Sequence, residues 1–214
     1  MHSPRDPVKG RTEAGRRREQ RARATRDRIV RAATDLFLER GYAATTVEAI
    51  AGTAGVGVAT VYQAFGTKAA IVARALDVAI AGDAEPRPLL ERDWVAAARA
   101  EPDPHRRLAA GVDGRFDVAF RSAPMKEVLR DAAATEPALR DLLERDEAQR
   151  LVTHRELLAI VLGEPPTDAQ LAAFFLLANS ASYQAASARF GWDPTTWKGW
   201  LRDLLARHLH LDER

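Results

Sequence analysis

The 214-residue chain has no cysteine, which excludes a disulfide framework, thiolate metal ligation and a cysteine nucleophile. It also lacks a long hydrophobic run. The most apolar stretch, 171–178, ends after eight residues at Asn179 and Ser180, far short of the ~20 residues a membrane helix needs. The first 23 residues are polar and arginine-rich where the apolar core of a secretory signal would lie, so a cytoplasmic protein without a membrane partner is expected. No glycine-rich phosphate loop, nucleophile elbow or His-x-x-x-His spacing occurs, so no catalytic residue, cofactor or metal site is expected. His208 and His210 stand two apart at a helix end, where their side chains diverge and interaction with the helix C-terminus is the simpler account. Glu144, Asp146 and Glu147 read as a solvated helix face.

What is present is a 46% hydrophobic composition, enough for a proper core, and an uneven distribution of charge. Residues 1–80 carry 14 Arg and Lys against 8 Asp and Glu, whereas the remainder carries 18 against 22. A basic front and an acidic back imply that only the front meets a polyanion. Residues 1–23 hold eight basic residues and almost no large apolar ones, and are read as a disordered basic arm. From there on, apolar residues recur at three and four positions with no sustained strand alternation, which predicts an all-α protein of about nine helices. Prolines and glycines punctuate it, Pro124 among them.

The first helix is expected over 25–40, with Ile29, Ala33, Leu36 and Phe37 on one stripe and Gly41 as its left-handed cap. Thr45-Thr46-Val47-Glu48 reads as a capping box, Thr45 with Glu48, opening a second helix whose N-terminal amides and threonine hydroxyls suit a phosphate. Ala51 and Gly55-Val56 have the spacing of a tight helix-turn-helix. A third helix, 58–64, turns Val58, Val61 and Phe65 inward and leaves Ala59, Thr60, Tyr62 and Gln63 outward. Thr60 and Gln63 can reach base edges, while Tyr62 and Lys68 are placed for phosphates.

Four pieces, Gly41-Tyr42, Thr45-Thr46-Val47-Glu48-Ala49-Ile50-Ala51, Ala54-Gly55-Val56 and Thr60-Val61-Tyr62-Gln63-Ala64-Phe65-Gly66-Thr67-Lys68, resemble in order and spacing the N-terminal signature of TetR-family repressors. Two positions depart from it: Gly57 stands where the family has a serine or threonine cap, and Ala69 replaces a common acidic residue. The resemblance implies an all-helical homodimer on a double-stranded DNA operator, with phosphate contacts from Thr46, Tyr62 and Lys68 and base reading around Ala59, Thr60 and Gln63. The chain then divides into the arm (1–23), a helix-turn-helix DNA-binding domain (24–74) joined through a connecting helix at 67–81, and an effector-binding and dimerisation domain (75–214).

The last part carries no shared motif. Long helices are expected at 137–162, 168–190 and 194–209. The resemblance implies that the last two pair with their copies, through Leu176, Ser180, Ala186, Trp197, Trp200, Leu201 and Leu204. The same residues could equally form an intramolecular core. An unidentified small-molecule effector would need an enclosed pocket of mostly apolar walls, for which the candidates are Trp94, Phe116, Phe120, His154, Phe174, Phe175, Asn179 and Tyr183. Two other functions stay open: an architectural DNA binder without an effector, and a helical enzyme.

Overall fold

The apolar stripe of Ile29, Ala33, Leu36 and Phe37 is the buried face of α1 (Glu13–Ala44). In the computed structural model, which describes residues 13–83 and 88–213, this helix begins well ahead of the expected start. Residues 13–23, read as arm, are helical; residues 1–12 lie outside the described residues. Gly41, at φ 77°, breaks the helix, a backbone conformation open to glycine at no steric cost.

Next come α2 (Val47–Ala54), α3 (Val58–Phe65) and α4 (Lys68–Ala81). The cap of α2 is Thr46, whose hydroxyl accepts from the Ala49 amide, rather than Thr45. The Thr45 side chain is fully buried and donates back to α1, with its hydroxyl 2.8 Å from the Gly41 carbonyl and 3.1 Å from that of Leu36. It closes the end of one helix instead of opening the next, so the expected capping box with Glu48 does not form. A capping box does occur elsewhere, between Thr167 and Gln170.

The chain continues through a single 3-10 turn at Leu89–Glu91 to α5 (Asp93–Ala100), α6 (Pro104–Ala133), α7 (Pro137–Leu162), α8 (Asp168–Leu177), α9 (Ser180–Phe190) and α10 (Pro194–His208), followed by a second 3-10 turn at Leu211–Glu213. The described residues therefore form ten α-helices and no strand. Two expectations are corrected. The helix expected at 168–190 is broken at Ala178 and Asn179, because the Asn179 side chain caps α9 by accepting from the Ser182 amide while its amide group donates to the Leu176 carbonyl. Pro124 lies inside α6 rather than at a boundary. An interior proline costs about 3 kcal/mol, and the packing of buried side chains on both sides of it, Val118 and Ala119 before and Met125 and Leu129 after, outweighs that cost.

α6, 30 residues and about 45 Å long, is the spine on which two cores are built. The first gathers the buried faces of α1 to α4 around Phe37, Ile50, Val61 and Ile71, and includes Met125, Leu129 and Ala132 of α6 and Leu139 of α7. The head is thus seated on the C-terminal half of α6, its core shared with the rest of the chain. The second core joins Leu108 and Val112 of α6 to Leu158 and Val161 of α7, Phe174 of α8, and Trp197, Leu201 and Leu205 of α10. Between them, over residues 113–124 of α6, neither apolar cluster includes a buried α6 residue.

Candidate functional site

The turn between α2 and α3 is built as its sequence requires. Gly55 takes φ 64° and its amide returns to the end of α2, and Val56 packs against the head core. Gly57 caps α3 through its backbone alone, with no side-chain hydrogen bond. Val61 is buried, while Ala59, Tyr62 and Gln63 are exposed and Thr60 is half-buried. The predicted reading face is therefore outward. Thr46 is exposed at the N-terminus of α2, where its hydroxyl proton and the first helical amides remain suited to a phosphate.

Two of the expected DNA residues stand differently. Thr45 is buried, so its side chain does not reach the surface. Lys68 is a staple: its Nζ donates to the carbonyls of Tyr42 and Thr45, both at 2.9 Å, and lies 3.9 Å from the centre of the Tyr42 ring. Desolvation holds its pKa below the ordinary lysine value, partly offset by Glu136. Lys68 thereby ties the start of α4 to the segment that presents Thr46. Lys68→Met is expected to lower the unfolding free energy by about 2 kcal/mol, the scale of hydrogen bonds to a charged group, read by chemical denaturation. A variant as stable as the wild type would return Lys68 to the role of a free phosphate contact.

A feature the residue pattern alone left unread lies beside α3. Arg18, Arg21, Ala22, Thr25 and Arg26 recur at i, i+3, i+4, i+7 and i+8 of α1 and so share one face. With Thr60, Gln63 and Ala64 of α3 they line one open groove. The three arginines are exposed. A polyanion lying along α3 would meet a row of guanidinium groups at its flank, carried on the N-terminal turns of α1.

In the rest of the chain the expected pocket residues separate into groups. Phe116, Phe120 and Tyr183 form a ring cluster, with centroids 5.1–6.2 Å apart, that runs on through Trp197 and Trp200 of α10 to Trp192 and Phe190. This aromatic ladder crosses α6, α9 and α10, and Phe120, Phe190 and Trp200 are exposed along it. Phe174 is fully buried in the second core, and Asn179 is a helix cap. Trp94 covers Gly114 of α6, where a Cβ would stand 2.3 Å from its ring, and lines a cleft with Arg92, Asp113 and Arg121.

His154 is different. It is buried in the interval between the two cores and lines a small cleft of about 60 Å³ with Arg115, Lys126, Asp146, Arg150 and the apolar Ile80, Leu89 and Val118. Its Nε2 accepts from Arg115 Nε at 3.2 Å, so the proton is on Nδ1, which donates to the Arg150 carbonyl. Burial, then the neighbouring guanidinium of Arg115, lowers its pKa to about 3, so it is neutral at physiological pH. Asp146, read as solvated, is instead half-buried in an ion pair with Lys126 at 2.7 Å. Of the expected dimer residues, Ala186, Trp197 and Leu201 are buried within the chain, Leu176 and Trp200 are exposed, and Ser180 and Leu204 are half-buried.

Residues 29–75 match the family model of bacterial regulatory proteins, tetR family. Among solved structures, a transcriptional regulator from Rhodococcus sp. Rha1 is similar at 23% identity and TM-score 0.62, over 86% of this chain and 96% of that one. NalD, the secondary repressor of the MexAB-OprM multidrug efflux pump in Pseudomonas aeruginosa, is similar at 22% identity and TM-score 0.63, over 88% and 96%. FadR from Bacillus subtilis, solved in complex with stearoyl-CoA, is similar at 18% identity and TM-score 0.61, over 83% and 96%. Comparison with curated proteins gives no match.

Proposed function

With residues 29–75 belonging to the tetR family of bacterial regulatory proteins, on a chain that has the fold of solved transcriptional regulators, we propose that the protein is a cytoplasmic homodimeric repressor released from its operator by a small molecule. The observation that carries the DNA-binding part is the outward set on α3, Ala59, Thr60, Tyr62 and Gln63, flanked by the arginine face of α1. Each protomer lays α3 in a major groove, Thr46 and Tyr62 take phosphates, and the two half-sites lie about 34–36 Å apart or a multiple of it. The exposed aromatic and aliphatic side chains of α8 to α10 meet their copies.

The effector reading rests on the cleft around His154, which lies where α6, the seat of the head, runs past α7 and where Ile80 of α4 forms part of the wall. Arg121 of α6 donates to the carbonyls of Ala79 and Ile80, at 2.9 and 2.8 Å, binding the end of α4 to the same region. A ligand that fits one arrangement of α4 on α6 better than another shifts the head by that difference in affinity. FadR, one of the similar structures, holds a ligand.

Selection of bound fragments from genomic DNA, followed by mobility shifts against random duplex at moderate salt, tests the proposal. A palindromic site preferred by a factor of about 10³ or more is expected, on the scale of specific over non-specific binding. Equal affinity for random duplex would instead mark an architectural DNA binder. On a selected site, Gln63→Ala is expected to relax preference at one or two positions of each half-site, by ~1–3 kcal/mol for a bidentate contact, with other positions unchanged. An unaltered site preference would remove Gln63 from the reading face.

A further inference from the structure

The cleft between the two cores holds more positive than negative charge, in a place where charge is costly. Arg115 is buried, and no carboxylate lies within ion-pairing distance of its guanidinium among the described residues. Its one hydrogen-bond partner there is the neutral ring of His154. Arg150, one turn before His154 on α7, rests over the Phe175 ring at 4.1 Å, and its Nε is buried without a hydrogen-bond partner. Lys126 is paired, but the pair uses up Asp146, the one carboxylate in the lining. Three cations thus face one anion. Desolvation and the proximity of Arg150 lower the Arg115 pKa only to about 10, so it keeps its charge at neutral pH. Apolar Ile80, Leu89 and Val118 complete the wall.

A buried cation without a counter-ion is costly, and a protein that only needed a well-packed interior would be better served there by leucine or methionine. We propose that this cleft is a binding site for an organic anion, its acid group held by Arg115 and Arg150 and its hydrocarbon body lying against Ile80, Leu89 and Val118. The proposal rests on the effector reading above for its consequence, but its chemistry stands on this charge balance alone. The two guanidinium groups supply several N–H donors in forked geometry, which suits the two oxygens of a carboxylate. The Lys126–Asp146 pair keeps Asp146 engaged and away from the incoming anion. His154, donating from Nδ1 to the Arg150 backbone carbonyl, is locked as an acceptor toward Arg115 and holds that guanidinium in place, while the Phe175 ring supports that of Arg150. An ammonium ligand would meet the same three cations and be repelled.

The test compares hexanoate, hexanamide and hexylamine, three probes of one chain length that differ in charge, by calorimetric titration and thermal melting of the full chain. Hexanoate is expected to bind saturably and raise the melting temperature, with at least tenfold weaker binding of the amide and the amine. Arg115→Gln keeps a donor for His154 Nε2 and removes the charge. Arg150→Gln removes the second charge, and each variant is expected to lose hexanoate binding by tenfold or more. Because the empty wild-type cleft bears an uncompensated charge, Arg115→Gln without ligand is expected to melt at or above the wild-type temperature. Equal binding of hexanamide or hexylamine, absence of hexanoate binding, or hexanoate affinity unchanged in both variants would overturn the anion site. Hexanoate binding that needs both arginines but leaves operator affinity unchanged would uphold the site and overturn its role in DNA release.

Discussion

Replacing Arg18, Arg21 and Arg26 together by alanine is expected to weaken operator binding by on the order of 10²- to 10⁴-fold without lowering the melting temperature. All three side chains are exposed, so the substitution costs no packing, and alanine maintains the helix. Their value lies in the phosphates they meet beside α3. An exposed ion pair contributes about 0.5–1 kcal/mol, and a dimer would present six of these arginines. Each arginine that neutralises a phosphate also releases the counterions condensed there. The slope of log affinity against log salt is therefore expected to fall by ~0.9 for each arginine removed, and by ~5 for six. Binding measured across a salt series reads both quantities in one experiment. An unchanged slope would mean that the groove between α1 and α3 does not face the DNA. The effect should be uniform over sequences, in contrast to that of Gln63→Ala, because phosphates position the protein while base edges specify the site.

The arginine face marks a boundary between what is legible in the sequence and what is not. The helix-turn-helix is legible because its constraints are local: Gly55 must take a positive φ, Val61 must face inward, and what remains on a short helix must face outward. The start of α1 is not, since arginine-rich sequence reads as solvated arm unless the periodicity of residues 18–26 is set against the helix it continues into. The exchange of Thr45 for Thr46 as cap turns on a contact to Leu36, nine residues back, which no spacing rule contains. The charged cleft is legible in the sequence only through His154, for a related reason. Residue type favours aromatic side chains as lining, yet Phe116 and Phe120 stack on each other and meet Tyr183 edge-on, with Phe120 exposed. The cleft is instead walled by charged residues whose partners are remote, Arg115 with His154 39 residues away and Lys126 with Asp146 20 away. Such pairs have no period. Asp146 reads as a solvated carboxylate because its sequence neighbours on α7, Glu144 and Glu147, are exposed.

A charge placed on the exposed end of the aromatic ladder should separate the protomers. Phe190 is 70% exposed and Trp200 37%, joined through Trp192 and Trp197, whose rings lie 5.4 and 4.9 Å from that of Trp200, and Leu176 of α8 is 64% exposed as well. A cluster of large apolar side chains of this kind marks an interaction surface more often than a free one. Burying each of them contributes about 1.5–3 kcal/mol, and a two-fold axis doubles every term because the same patch serves both protomers. Leu176→Asp with Trp200→Asp would exchange that gain for four buried, mutually repelling carboxylates per dimer. The double variant is expected to sediment as a folded monomer with a helical spectrum like that of the wild type. Trp197 is the wrong residue for this purpose: at 3% exposure it belongs to the second core, and a charge there would unfold the chain. Loss of the dimer would in turn remove the second head from the operator. The two half-sites would then be bound independently, which forfeits the roughly 10²- to 10⁴-fold advantage of linked binding, while binding to a single half-site would survive at high protein concentration. A variant that stays dimeric would move the interface away from α8 to α10, and a monomer that still bound the full palindrome as tightly as the wild type would sever dimerisation from DNA recognition.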